Sequence, residues 1–144
     1  MASRGYVGLL RPDGTALLRY VHHDATLDYL PLALARLWWT LGQNADATAQ
    51  AVLAHDWAAI DPTATPDDVW GDQTLIPGVG RAIPPMTAEP ITYLPGCDEI
   101  LHGQYLFLLA PERPGVLLIA DTSIQRLADA PVFDLAVGEH VQII

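Results

Sequence analysis

The chain has 144 residues, 51% of them apolar and 17% charged, and a formal net charge of −10. A chain of this length buries about 68–70% of its unfolded surface, so it needs neither disulfides nor metal to fold, and its composition argues against disorder. Seventeen acids stand against seven arginines and no lysine, which speaks against a phosphate-gripping nucleic-acid surface, since that needs clustered cations.

The arginines (Arg4, Arg11, Arg19, Arg36, Arg81, Arg113 and Arg126) are scattered one at a time. The acidity fits a basic partner or simple solubility. No acidic run is long enough to support mimicry of DNA. A single cysteine, Cys97, excludes an intramolecular disulfide and fits a reducing cytoplasm. Pro12, Asp13 and Gly14 interrupt the N-terminal apolar run too early for a signal-peptide core. No stretch reaches the roughly 18 uninterrupted apolar residues of a membrane span. The expectation is one soluble, cytoplasmic domain over 1–144, with no membrane or nucleic-acid partner.

In chain order, "GYVGLL" and "ALLRYV" flank "RPDGT", which predicts a hairpin with strands at about 5–10 and 15–21. A helix follows, with Leu30, Leu34, Leu37, Trp38 and Leu41 as its core stripe. Asp28 is the expected N-cap, Pro31 falls in the first turn and Gly42 stops the helix. A second helix, capped by Asn44 or Asp46, is expected to run to about 58 and to bury Ala49, Val52, Leu53 and Trp57. The proline-rich stretch 61–90 predicts an ordered but irregular segment with one helical turn at Pro66-Asp67-Asp68. Strands are predicted at "ITYLPG", "QYLFLLA" and "GVLLIAD", the last two being the most apolar and central in the sheet. "TSIQRLADA" predicts a short helix capped by Thr122 or Ser123, and "EHVQII" a final strand. The resulting fold class is α+β: a single domain with a mainly antiparallel sheet of five or six strands and two N-terminal helices packed on one face.

Four places carry polar or aromatic chemistry. In "YVHHDATLD", His22 and Asp24 face the same way if the strand continues, the beginning of a metal site or of a histidine held by a carboxylate. The simpler reading, which we prefer, has Asp24 turning the chain into the helix and His22 bonding to backbone. Zinc needs further ligands, and His55, Asp56, His102, Asp121 and His140 show no spacing that demands one. Cys97-Asp98-Glu99 with His102 has the wrong charge for thiolate activation, because carboxylates adjoin the sulfur. "PGVGR" lacks the full glycine pattern of a phosphate loop; a turn that lets the chain approach the sheet is preferred over an anion held by Arg81. Trp38 and Trp57 fit core positions, whereas Trp39 and Trp70 are either partner-binding anchors or core under the proline-rich segment.

"SRGYVG", then Asp-Gly, then "YVHHD" resembles a group of small uncharacterised bacterial proteins, notably actinobacterial, and of their phages. Members begin with a Ser/Thr-Arg motif, a glycine, an Asp-Gly hairpin and a Tyr-x-His-x-Asp run. The corresponding positions here are Arg4, Gly8, Asp13, Gly14, Tyr20, His22 and Asp24. "GQYLFLLAPERPGVLLIAD" resembles their second-half hairpin, while Ala25 stands where the group has glycine after the aspartate, and the Tyr-Pro that follows it in the group is absent here. The lysine-free, alanine- and arginine-rich composition agrees with a high-GC genome. The resemblance implies a phage-linked or mobile-element accessory protein and implies no activity.

The functional expectation is a small, acidic, non-enzymatic interaction protein with an unidentified protein partner and no cofactor. Its binding residues are expected among His22, Asp24, Arg81, Trp39 and Trp70. Two alternatives stay open. One is a small-ligand or nucleotide binder with a pocket between the His22–Asp24 corner, the Pro/Gly segment and Arg81. The other is a metal-dependent hydrolase using His22, Asp24 and a distant histidine.

Overall fold

The computed structural model describes residues 4–95, 105–121 and 126–140. The strands are β1 (Gly5–Leu10), β2 (Ala16–Val21), β3 (Asp56–Ile60), β4 (Thr74–Ile76), β5 (Gly80–Ile83), β6 (Ile91–Tyr93), β7 (Tyr105–Leu109), β8 (Val116–Ala120), β9 (Val132–Asp134) and β10 (Glu139–His140). Two α-helices, α1 (Leu30–Thr40) and α2 (Ala45–Leu53), lie between β2 and β3.

All the strands join one mixed sheet, in the order β10-β9-β8-β7-β1-β2-β3-β5-β4, with β6 pairing off this path with β2. β1 runs parallel to β7, and β2 parallel to β3; the other pairings are antiparallel. This overturns the expected mainly antiparallel sheet of five or six strands. The sheet is larger because two stretches read as something else are strands, and because Val132–Asp134, to which no element was assigned, is β9. "DWAAI" was expected to end the second helix, yet all five of its residues are buried in β3. A short apolar run carries no periodicity that separates helix from strand, and tertiary burial decides. "TLIPGVGRAI" was expected to be irregular, yet it forms the β4–β5 hairpin. Its turn places Pro77 and Gly78 in the middle, with Gly78 at φ +77 and the Val79 N–H donating to the Ile76 carbonyl at 3.0 Å. That is the residue pattern of a type II turn. Gly80 then lies against β3, where a Cβ would run into the Ala59 carbonyl oxygen.

The helices also start and stop differently. α1 is preceded by Tyr29, with no side-chain cap, and not capped by Asp28; the Asp28 carboxyl takes its hydrogen bond from Thr26. α2 is capped by Asn44, whose Oδ1 accepts the Ala47 N–H at 3.0 Å, and ends at Leu53. The expected helix at "TSIQRLADA" is described only in part, as a 3-10 turn over Leu127–Asp129; its expected caps Thr122 and Ser123 lie outside the described residues, as do the last four residues of "EHVQII".

Alternation along the central strands sends side chains to two faces, and both are covered. Phe107, Leu109, Leu117 and Ile119 join Val7, Val21 and Trp57 under Leu34, Leu37 and Trp38 of α1 and Val52 of α2. Leu106, Leu108, Leu118 and Ala120 face the other way, with Tyr6, Leu18, Tyr93 and Leu127.

The edge of β2 away from β1 is forked. Residues 16–18 pair with β6, whereas Val21 pairs with Trp57 of β3. In the gap, the Asp56 carboxylate accepts the Tyr20 N–H at 3.2 Å and the Met86 N–H at 2.6 Å. Arg19 stands 3.7 Å from the same carboxylate, and the two side chains are only 8% and 4% exposed. The Arg19 guanidinium also donates to the carbonyls of Leu53 at 2.9 Å and Thr87 at 3.2 Å. Removing one partner of such a buried pair costs about 3–5 kcal/mol, because the other charge is left uncompensated. Asp56→Ala should therefore lower the unfolding free energy by about that amount in urea denaturation, and Asp56→Asn by less, since it still accepts hydrogen bonds. A loss below about 1 kcal/mol for Asp56→Ala would show that the fork does not depend on this carboxylate.

Candidate functional site

β2 ends at Val21, so His22 and Asp24 lie beyond the strand and its alternation no longer governs them. The backbone N–H groups of His22 and His23 donate to the carbonyls of Trp57 and Ala58, at 2.9 and 2.8 Å. The His22 ring is hydrogen-bonded through Nδ1 to the Tyr20 hydroxyl at 2.7 Å. It also lies edge to face against His23, with ring centroids 4.4 Å apart. Asp24 is exposed and takes φ +62, a left-handed conformation that short polar side chains tolerate, and it redirects the chain toward α1. Its charge acts on Tyr29.

Among the described residues, no group of three or more His, Cys, Asp or Glu is placed to hold a metal ion. Asp56 is committed to the fork, and His55 lies edge to face against Trp57 at 5.5 Å. Cys97 and His102 lie outside the described residues, as does the side chain of His140.

Arg81 sits in β5 opposite Ala59. It donates to the Asp68 carbonyl at 3.3 Å and to Gln73 Oε1 at 3.2 Å. Its Nε is buried without a partner among the described residues. Those contacts hold the 68–73 loop, from which Trp70 projects with 69% exposure.

The most developed surface lies along the outside of α1. The inner residues Leu30, Leu34, Leu37 and Trp38 are in the core. A second stripe, Tyr29, Leu32, Arg36 and Trp39, follows at steps of three, four and three along the opposite side. Leu32 is 53% exposed and Trp39 51%. Trp39 lies edge to face on Trp38, with centroids 5.5 Å apart. Leu32 is shared by two clefts. One, about 180 Å³, is lined by Tyr29, Leu32, Ala33, Arg36, Asp61 and Pro62. The other, about 350 Å³, is lined by Leu27, Asp28, Leu32, Phe133 and Gly138.

Tyr29 is the polar centre of the first cleft. Its hydroxyl donates to the Ile60 carbonyl at 3.4 Å. Burial raises its pKa, the negative charges of Asp61 and Asp24 add to the rise, and Arg81 and Arg36 oppose it. The phenol therefore stays protonated and serves as a donor. So Asp24, Arg81 and Trp39 all border or act on this face, through Tyr29 or through α1 itself. His22 belongs to a separate pair with Tyr20, and Trp70 lines neither cleft.

No protein-family model, curated protein or solved structure matches the chain.

Sequence reasoning passed over Tyr29, Leu32, Arg36 and Asp61. The three-four-three spacing of the second stripe was the available signal for the first three. Asp61 had none, because it reaches the cleft only through the position of β3.

The His22 pair has a pH signature. Burial lowers the His22 pKa below the ordinary 6.5, and the neighbouring His23 and Arg4 lower it further. The unfolded chain thus takes up this proton more readily than the folded one. The contribution to stability is fully present above pH 6.5 and is lost as the pH falls from there through the lowered folded value. Urea midpoints measured on both sides of that pH should fall more steeply for the wild type than for His22→Gln. Parallel profiles would remove His22 from the acid sensitivity of the fold.

Proposed function

We propose that this chain is a non-enzymatic protein-interaction module that docks a partner through the outer face of α1. The observation that carries the reading is the exposure of Leu32 and Trp39 on a helix whose other face is already in the core. A helix apolar on both sides belongs in an interior, so an outer stripe of this kind calls for a covering surface. Tryptophan is the residue type that most often anchors such contacts. The partner's chemistry follows from charge: at −10, the protein attracts a surface whose apolar centre has a basic rim.

A small-ligand role is the weaker reading. The cleft at Tyr29, Arg36 and Asp61 leaves the exposed Trp39 outside its lining. The N-terminal resemblance supplies a context, in which the module is an inhibitor or accessory factor of a phage or mobile element.

The test is affinity capture from a native host lysate with the wild type and with Leu32→Glu/Trp39→Glu. Both positions are exposed, so the variant should unfold within about 1 kcal/mol of the wild type. The expected outcome is a stoichiometric partner held by the wild type and lost from the variant. A partner retained equally by both, or none held by the wild type, would overturn the reading.

A further inference from the structure

β1 and β7 run parallel, in register from Gly5–Tyr105 to Leu9–Leu109. Leu9 lies opposite Leu109, so the turns that follow the two strands leave the sheet side by side. Arg11 and Arg113, far apart in sequence, are thereby brought to line one cleft of about 130 Å³. Its apolar lining is Leu10, Pro12, Ala110, Leu118 and Ala128, the last from the 3-10 turn Leu127–Asp129. Glu112 is the acid among the lining residues.

The two guanidinium groups are not used up by the protein. Arg11 donates through Nε to Thr15 Oγ1 at 2.9 Å, which fixes the side chain and leaves its terminal nitrogens without an acceptor among the described residues. Asp13, whose charge Arg11 feels, already accepts the Thr15 N–H at 3.0 Å and the Thr15 hydroxyl at 2.6 Å. Arg113 has no side-chain partner among the described residues, in a chain with seventeen acids to choose from.

Two arginines among the lining of an apolar hollow match a carboxylate on a short apolar body. Arginine binds carboxylates through paired N–H donors. Cavities of about 150 Å³ accept a benzene ring, close to the size seen here. Glu112 disfavours a second negative charge, which selects a monocarboxylate over phosphate. We propose that this cleft binds small apolar or aromatic monocarboxylates, held by Arg11 and Arg113. The site is separate from the outer face of α1 and stands or falls independently of docking there.

Benzoate is the probe, with benzamide as its neutral counterpart of the same shape, and the amide resonances of the full chain are followed by two-dimensional NMR. Benzoate should give saturable shifts at Gly14, Glu112 and Ala128, with an affinity at least about tenfold above that of benzamide. Arg113→Gln should weaken benzoate by about tenfold and leave benzamide unchanged. Ala128→Leu, which fills the hollow while keeping both arginines, should remove both. Shifts that do not saturate, equal affinity for the two probes, or benzoate binding unmoved by Arg113→Gln would each overturn the proposal.

Discussion

The buried carboxylate of Asp56 is the constraint on which the layout of the sheet depends. A strand edge that is covered must satisfy every N–H it presents. Along β2 that duty passes from β6 to β3, and at the handover Tyr20 faces neither strand. Asp56 takes the place of a backbone carbonyl there, and a charge in that position needs a counter-charge, which Arg19 provides. Such a pair adds little net stability over an apolar filling of the same shape. What it contributes is position: Arg19 reaches the last carbonyl of α2 and the 84–90 segment as well, so sheet, helix and loop are registered against one guanidinium. The cation also sits at the negative end of the α2 dipole, where Trp57 Nε1 donates to the Val52 carbonyl at 2.8 Å.

The fork explains why the helices are where they are. β3 pairs with β2 in parallel, and parallel neighbours need a long crossover. Residues 22–55 form it, and both helices lie within it on one face of the sheet. The chain must therefore turn sharply just after β2, which is the place Asp24 occupies with its left-handed backbone. The same logic at β1 and β7 sets two turns side by side at the other end of these strands. Both surfaces with chemistry, the outside of α1 and the cleft lined by Arg11 and Arg113, are consequences of parallel pairings within a sheet whose other described pairings are antiparallel.

That origin accounts for what could be read from the sequence. The β1–β2 hairpin, the inner stripe of α1, the Asn44 cap and the strands at "QYLFLLA" and "GVLLIAD" depend on local pattern, and their positions agree with the expectation. β3 does not: "AVLAHDWAAI" is rich in helix-forming alanine, and only its neighbours in the sheet make its second half a strand. The β4–β5 hairpin was hidden by the prolines around it, although Pro-Gly between two short apolar runs was the cue to its turn. The arginines looked solitary because they are solitary in sequence; nothing local places Arg11 beside Arg113. The site was half legible for the same reason. Trp39 and Arg81 stand out by residue type, whereas Asp61 and the clefts exist only once strands from distant segments are paired.

α1 shows how one short helix serves two surfaces. Its inner stripe would fill the space above the sheet with any residues at the outer positions, so folding alone gives no reason for leucine and tryptophan there. A polar residue at Leu32 or Trp39 would keep the helix and improve solubility. The tryptophan is moreover not loose: Trp38, held in the core, presents its ring to Trp39 in an edge-to-face contact. An aromatic side chain braced in this way loses less conformational freedom when a partner covers it, and that loss is a main term opposing association. Leu32, set between two clefts, complements it as a ridge that fits a grooved surface. The Trp38–Trp39 pair thus joins core to surface: the packing that orders the helix also presents its outer face in a form ready to be covered.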